Sequence, residues 1–235
     1  MASSYSTDLR LELMVTGEKA GLWGDITNTN LVILQQAIAG YESVAVNNTT
    51  GVTLAFSNGA ISNGKNATIE LTGTLATTSV DVIVPDGIEK TYNIKDSIDH
   101  ASKNVRVKTA SGTGVQIAEG NSYVLYSDGT NVKKISEEKN WRALSAAETV
   151  QEGAAILANT NGGAVTITLP PSPSTGAEVS FIDQGYDFNT NALTVGRNGS
   201  NIANAAADLT VNTQGAGFTL VYSGDATTGW TYKEK

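Results

Sequence analysis

Between Leu9 and Val15 the apolar residues Leu9, Leu11, Leu13 and Val15 alternate with Arg10, Glu12 and Met14, and this period of two predicts a strand with one buried face. The period then changes. After the glycine-flanked Trp23, residues Leu31, Leu34 and Ile38 recur at helical spacing, which predicts a short amphipathic helix capped between Asp25 and Asn30 and stopped by Gly40. From Tyr41 onward helical spacing disappears. Short apolar runs such as Val52-Thr53-Leu54-Ala55-Phe56 and Thr68-Ile69-Glu70-Leu71 are separated by Asn-Gly and glycine-rich turns, a hairpin pattern. Asn58-Gly59 and Asn63-Gly64 are expected to supply the positive φ angles of tight turns, and the strands to form a sandwich or meander.

The pattern also repeats. Val82-Ile83-Val84-Pro85 is followed by Tyr92-Asn93-Ile94-Lys95-Asp96, Val105-Arg106-Val107, Gly112-Thr113-Gly114-Val115 and Val124-Leu125-Tyr126-Ser127. In the second half Ile167-Thr168-Leu169-Pro170 precedes Val179-Ser180-Phe181-Ile182-Asp183, Leu193-Thr194-Val195, Gly199-Ser200-Asn201-Ile202 and Leu220-Val221-Tyr222-Ser223. The shared order predicts two related domains in tandem. The charge-dense stretch from Ser136 to Glu148 reads as a helix or linker between them. The predicted fold is therefore mostly β: a strand-plus-helix segment over residues 1–40, a β-sandwich-like domain over 41–136, a linker over 137–148 and a second β-sandwich-like domain over 149–235.

Composition sharpens this picture. Aromatic residues make up only 6% of the chain and charged residues 16%, so bulk is carried by Gly, Ala, Ser, Thr, Asn and Val, and so light a core predicts burial against identical chains. The net charge of −8, with no run of Lys or Arg, argues against nucleic acid as a partner. No stretch reaches the length of a membrane span, and the absence of cysteine excludes disulfides and thiolate metal sites.

Candidate chemistry is sparse. His100, the sole histidine, lies in the polar stretch from Asp96 to Lys103 and reads as a solvated loop residue beside Asp99. Asp96 and Asp183 occupy equivalent repeat positions and read as strand-end aspartates that bond turn backbone. Ser127-Asp128-Gly129-Thr130-Asn131 reads as a hairpin turn and not a calcium loop. With no Gly-x-Ser-x-Gly elbow and one isolated histidine, no catalytic, metal or cofactor site is predicted, and the chain is expected not to be an enzyme. Trp23, Trp141 and Trp230 fall at unit edges, where sealing an end or an interface is the expected role.

The run Gly17-Glu18-Lys19-Ala20-Gly21-Leu22-Trp23-Gly24-Asp25-Ile26-Thr27-Asn28-Thr29-Asn30-Leu31 resembles the N-terminal signature of tail fibre-like virion proteins of tailed bacteriophages of marine and cyanobacterial hosts. The likeness extends through β segments similar to Lys90–Ile94 and Gly129–Val132, and Gly229-Trp230-Thr231-Tyr232 is similar to the C-terminal domains of phage fibres. The resemblance implies a structural component of the virion, a tail fibre or fibre adaptor made in the host cytoplasm and assembled as a homotrimer. It implies docking to other tail or neck proteins by the N-terminal segment, for which Trp23, Leu31, Leu34 and Ile38 are the candidate residues. Contact with a host-surface glycan or protein is expected around Tyr186, Phe188 and Trp230. The chain is short for a fibre, so a lectin-like receptor-binding module or a head-attached fibre or decoration protein is the alternative.

Overall fold

The computed structural model describes residues 4–76 and 78–234. It is mostly β, with one α-helix among the described residues. The chain forms two compact units that divide between Glu138 and Lys139.

In the first unit a two-stranded ribbon, β1 (Ser4–Tyr5) and β2 (Glu12–Leu13), precedes helix α1 (Trp23–Ala39). The predicted strand over Leu9–Val15 is thus reduced to two residues. Arg10 adopts a φ of 55°, which bends the chain out of extended conformation before Glu12. α1 starts at Trp23, earlier than the apolar spacing predicts, and Leu22 at its N-cap makes no side-chain cap. Its first turns are held by Thr27 and Thr29, whose hydroxyls donate to the carbonyls of Trp23 and Asp25 at 2.7 and 2.9 Å. The Asn30 amide then grips the Glu12 backbone, accepting from its N–H at 3.0 Å and donating to its carbonyl at 2.9 Å. The helix stops where Gly40 turns extended (φ −71°, ψ 143°), and glycine is required there because a Cβ would lie 2.3 Å from Asn66 Oδ1 and 2.4 Å from the Gln36 carbonyl.

Next come β3 (Tyr41–Ala45), β4 (Val52–Thr53), β5 (Thr68–Thr74), β6 (Val80–Val84), β7 (Glu89–Asp99), β8 (Val105–Thr109), β9 (Gly114–Ile117), β10 (Ser122–Asp128) and β11 (Val132–Glu138). Strands β3, β5 and β7 pair in parallel in one sheet, and β4, β6 and β8 pair in parallel in another. The chain thus passes from sheet to sheet and climbs one strand at each turn, a short β-solenoid. Antiparallel strands close it: β9 against β8, β10 against β7 and β11 against β10. Because coil positions stack, like residues meet: Ile69 pairs with Ile94, and Val82 lies between Val52 and Val107. These side chains and Leu54, Leu71, Tyr92, Tyr123 and Leu125 form one core.

The second unit repeats this plan. Its strands are β12 (Trp141–Leu144), β13 (Glu148–Thr149), β14 (Ala155–Ala158), β15 (Val165–Thr168), β16 (Glu178–Asp183), β17 (Leu193–Gly196), β18 (Leu209–Val211), β19 (Gly217–Tyr222) and β20 (Trp230–Glu234). Strands β12, β14 and β16 are parallel, as are β13, β15 and β17, and β18, β19 and β20 then close the unit antiparallel. Strand for strand, β6 corresponds to β15, β7 to β16, β8 to β17 and β10 to β19, in agreement with the internal repeat.

Three local expectations change. The parallel coils replace the expected antiparallel sandwich pairing, because a glycine turn can mark a corner between sheets as well as a hairpin. Gly64 lies in a 3₁₀ turn (Asn63–Lys65) instead of at positive φ, and its missing side chain makes room for Phe56, whose ring would sit 2.3 Å from a Cβ. The segment read as a helix or linker is strand over much of its length: Glu137 and Glu138 end β11, and Trp141–Leu144 forms β12.

Candidate interaction surfaces and sealed polar groups

α1 lays Ile33 fully into the first unit and leaves its apolar stripe in solvent. Trp23 is 66% exposed, Leu31 57%, Leu34 36% and Ile38 79%, and Tyr41 just beyond the helix is 57% exposed. The structure therefore brings the four residues of the docking expectation together on one helical face. Large side chains left this open on a single face mark a contact surface in most soluble proteins.

The expectations for host contact divide. Tyr186 is 65% exposed and held outward at a φ of 57°, its carbonyl accepting from Gln214 Nε2 at 2.9 Å. Phe188 and Trp230 are both fully buried in the core of the second unit. Neither can touch a receptor while that unit is folded, so of these three only Tyr186 presents a surface. Trp230 packs its ring 5.5 Å from that of Tyr222, and its indole N–H finds no acceptor among the described residues.

His100 is not a solvated loop residue. It and Asp96 are fully buried and joined by a 2.7 Å contact between Nε2 and a carboxylate oxygen, while Nδ1 has no partner among the described residues. The other Asp96 oxygen accepts from the Ile98 N–H at 3.0 Å. At the equivalent position, the Asp183 carboxylate accepts backbone N–H groups from Asp187 (3.2 Å), Phe188 (3.3 Å) and Gly215 (2.9 Å). It pins two loops at once, turning Phe188 into the core and leaving Tyr186 outside. Asp183, at the end of β16, organises loop backbone as expected, whereas Asp96 lies inside β7 and bonds the Ile98 N–H of its own strand. The His–Asp pair is of the type found in catalytic dyads, and both of its side chains are closed to solvent.

The outer face of the first unit carries a polar cluster. Glu70 accepts from Lys95 and from Ser97 at 2.7 Å each and bonds Tyr41, and the Lys95 ammonium with these hydroxyls lowers its carboxyl to about 2. Beside it lies a shallow concavity of about 420 Å³ whose lining mixes Thr68, Asn93, Lys95, Ser122, Ser136, Glu137 and Glu138 with Ile94, Tyr123 and Val124. At the β10–β11 turn, Asp128 accepts from the N–H groups of Thr130 and Asn131 at 3.0 and 2.7 Å, the hairpin expected there.

No family model and no curated protein matches this chain. A solved structure described as "Structure of a chaperone-substrate complex" is similar at a TM-score of 0.42 and 14% identity, over 83% of this chain and 35% of that one.

Two buried lysines escaped the sequence reading. Lys65 Nζ donates to the carbonyls of Ser57 (2.7 Å) and Ala60 (2.6 Å), and Lys90 Nζ to that of Asn66 (2.8 Å) while lying 4.3 Å from the Tyr92 ring centre. Lys90, Tyr92, Ile94, Asp96, Ile98 and His100 alternate along the inner face of β7 and just beyond it. The period of two was the available signal, hidden because three of these six residues are polar.

Burial pushes the Lys65 and Lys90 ammonium groups down to about 8, against an ordinary 10.5. Between those values the unfolded chain binds protons that the folded chain has released, so stability rises with pH across that window. Burial pushes the Tyr92 and Tyr123 hydroxyls up from 10.0, so above that pH the unfolded chain loses protons that the folded chain keeps, and stability falls. The urea midpoint is expected to climb from pH 8 to about pH 10 and then drop, and Lys90→Met to flatten the climb. A midpoint that falls steadily from pH 8 would contradict this assignment.

Proposed function

We propose that this chain is a non-catalytic structural component of a phage virion, a tail fibre or fibre adaptor, that assembles as a homotrimer and presents its second unit toward the host surface. The observation that carries the proposal is the open apolar face of α1, built on the stretch that resembles the fibre signature. Support also comes from the burial of the His100–Asp96 pair and from two units of one topology, a plan suited to an extended structural element. In this reading α1 is an assembly surface, and tail or neck proteins are the chain's neighbours in the particle.

Mass spectrometry of purified particles is expected to find the chain at a copy number that is a multiple of three, and immunogold labelling to place it on the tail. Its absence from particles would overturn the proposal. Labelling on the head would favour the head-attached fibre or decoration alternative. In particles carrying Trp23→Ala, a normal amount of the protein would show that Trp23 is not needed for docking. The concavity beside Glu70, with its mixed polar and apolar lining, and the exposed ring of Tyr186 favour a second reading, a lectin-like module. Glycan-array binding by the purified chain, lost in Asn93→Ala or Tyr186→Ala, tests it.

A further inference from the structure

We propose that the apolar face of α1 is a coiled-coil seam whose occupant is the α1 helix of other copies of this chain. The inference takes from the proposed function that this face is an assembly surface. Thr27, Leu31, Leu34 and Ile38 follow one another at intervals of four, three and four, the alternation of a and d positions in a heptad, with Gly24 one step before them. Ile26, Ile33 and Ala37, which are less exposed, lie on a different side of the helix, so packing onto the first unit leaves the seam open.

Three features point to a copy of the same helix as the partner. The first is periodicity, since a heptad stripe is shaped for knobs-into-holes packing against another helix, whereas a flat sheet surface makes no use of the 3.5-residue repeat. The second is charge. Asp25 is the sole charged residue of α1 and lies off the stripe, so like helices side by side suffer no repulsion, and an acidic or basic partner would find nothing to pair with. The third is area. Trp23, Leu31, Leu34, Ile38 and Tyr41 together expose roughly 600 Å² at the exposures given above, approaching the ~800 Å² per partner of a standard interface. In the homotrimer of the proposed function, helices packed together along the three-fold axis run parallel, so Ile38 meets Ile38 and Leu31 meets Leu31 about that axis.

The test uses the full chain. Sedimentation equilibrium is expected to give at least two chain masses for the wild type and one for Leu31→Asp/Ile38→Asp with an unchanged far-ultraviolet spectrum, while Val32→Asp, exposed but off the seam, keeps the wild-type mass. The protein has no cysteine, so Ile38→Cys offers a clean second measurement. Mild oxidation is expected to join copies through Cys at position 38 at least tenfold faster than in Asn28→Cys, which lies away from the seam. A monomeric wild type, an oligomer that survives the double substitution, or equal crosslinking at positions 28 and 38 would each overturn the proposal. A monomeric wild type still found in particles would leave the virion reading standing, with another protein covering α1. An intact seam in a chain missing from particles would do the reverse.

Discussion

Trp230→Ala is expected to destabilise the second unit by about 3–5 kcal/mol, the usual cost of truncating a fully buried large aromatic side chain. Trp230 has no exposed surface, stacks obliquely on Tyr222, and lies where the backbone is tied on both sides: its N–H donates to Asn201 at 2.8 Å and its carbonyl accepts from Ala203 at 2.7 Å. The cavity left by alanine could close only by moving those backbone segments. Trp230→Phe tests the same geometry from the other side. The indole N–H is buried without an acceptor, so removing it relieves a desolvation cost of about 1–3 kcal/mol that offsets much of the lost packing. The phenylalanine variant is therefore expected within about 1.5 kcal/mol of the wild type. Urea unfolding, with hydrogen exchange on peptides from residues 139–235, measures both. Equal losses for alanine and phenylalanine would mean that the N–H has an acceptor after all.

Asp183→Ala is the second large effect. The carboxylate accepts three backbone N–H groups from two loops, and alanine leaves those donors with no acceptor from residue 183. At about 1–3 kcal/mol for each buried donor left unpaired, discounted for water reaching the partly exposed ones, a loss of about 3 kcal/mol or more is expected. Asp183→Asn keeps one oxygen but turns an NH₂ group toward a donor, so about half of that loss is expected. Exchange should quicken first in the segments around Phe188 and Gly215, before global unfolding. A change under about 0.5 kcal/mol for alanine would refute the role of Asp183 as the pin of these loops.

Much of this architecture is written in local chemistry. The order of the two halves is legible because each strand carries its own mark: prolines after β6 and just beyond β15, aspartates on β7 and β16, tyrosines on β10 and β19. These marks belong to positions in a coil and recur when the coil plan recurs. Strand direction is not legible. The turn at Asn58-Gly59 lies between β4 and β5, which belong to different sheets, and it carries the same residues as a hairpin turn. The inward placement of Phe188 and Trp230 was also hidden. Each stands beside glycine or polar residues in sequence, and burial comes from contacts such as the Asp183 bonds, which span up to 32 residues. The helix face was the reverse case, since Leu31, Leu34 and Ile38 show their spacing openly but not whether a partner lies within the chain or outside it.

The parallel coils also decide how such a unit could vary in size. An inserted turn of chain between β5–β6 and β7–β8 would find strand edges of the same direction above and below it, and would need no change in the antiparallel strands that close the unit. Each such insertion would lengthen the unit by roughly 4.8 Å, the spacing of neighbouring strands. Length here is a counted quantity, set by how many turns the gene supplies, so relatives with longer or shorter reach can arise by duplication or loss of single turns while both ends stay as they are.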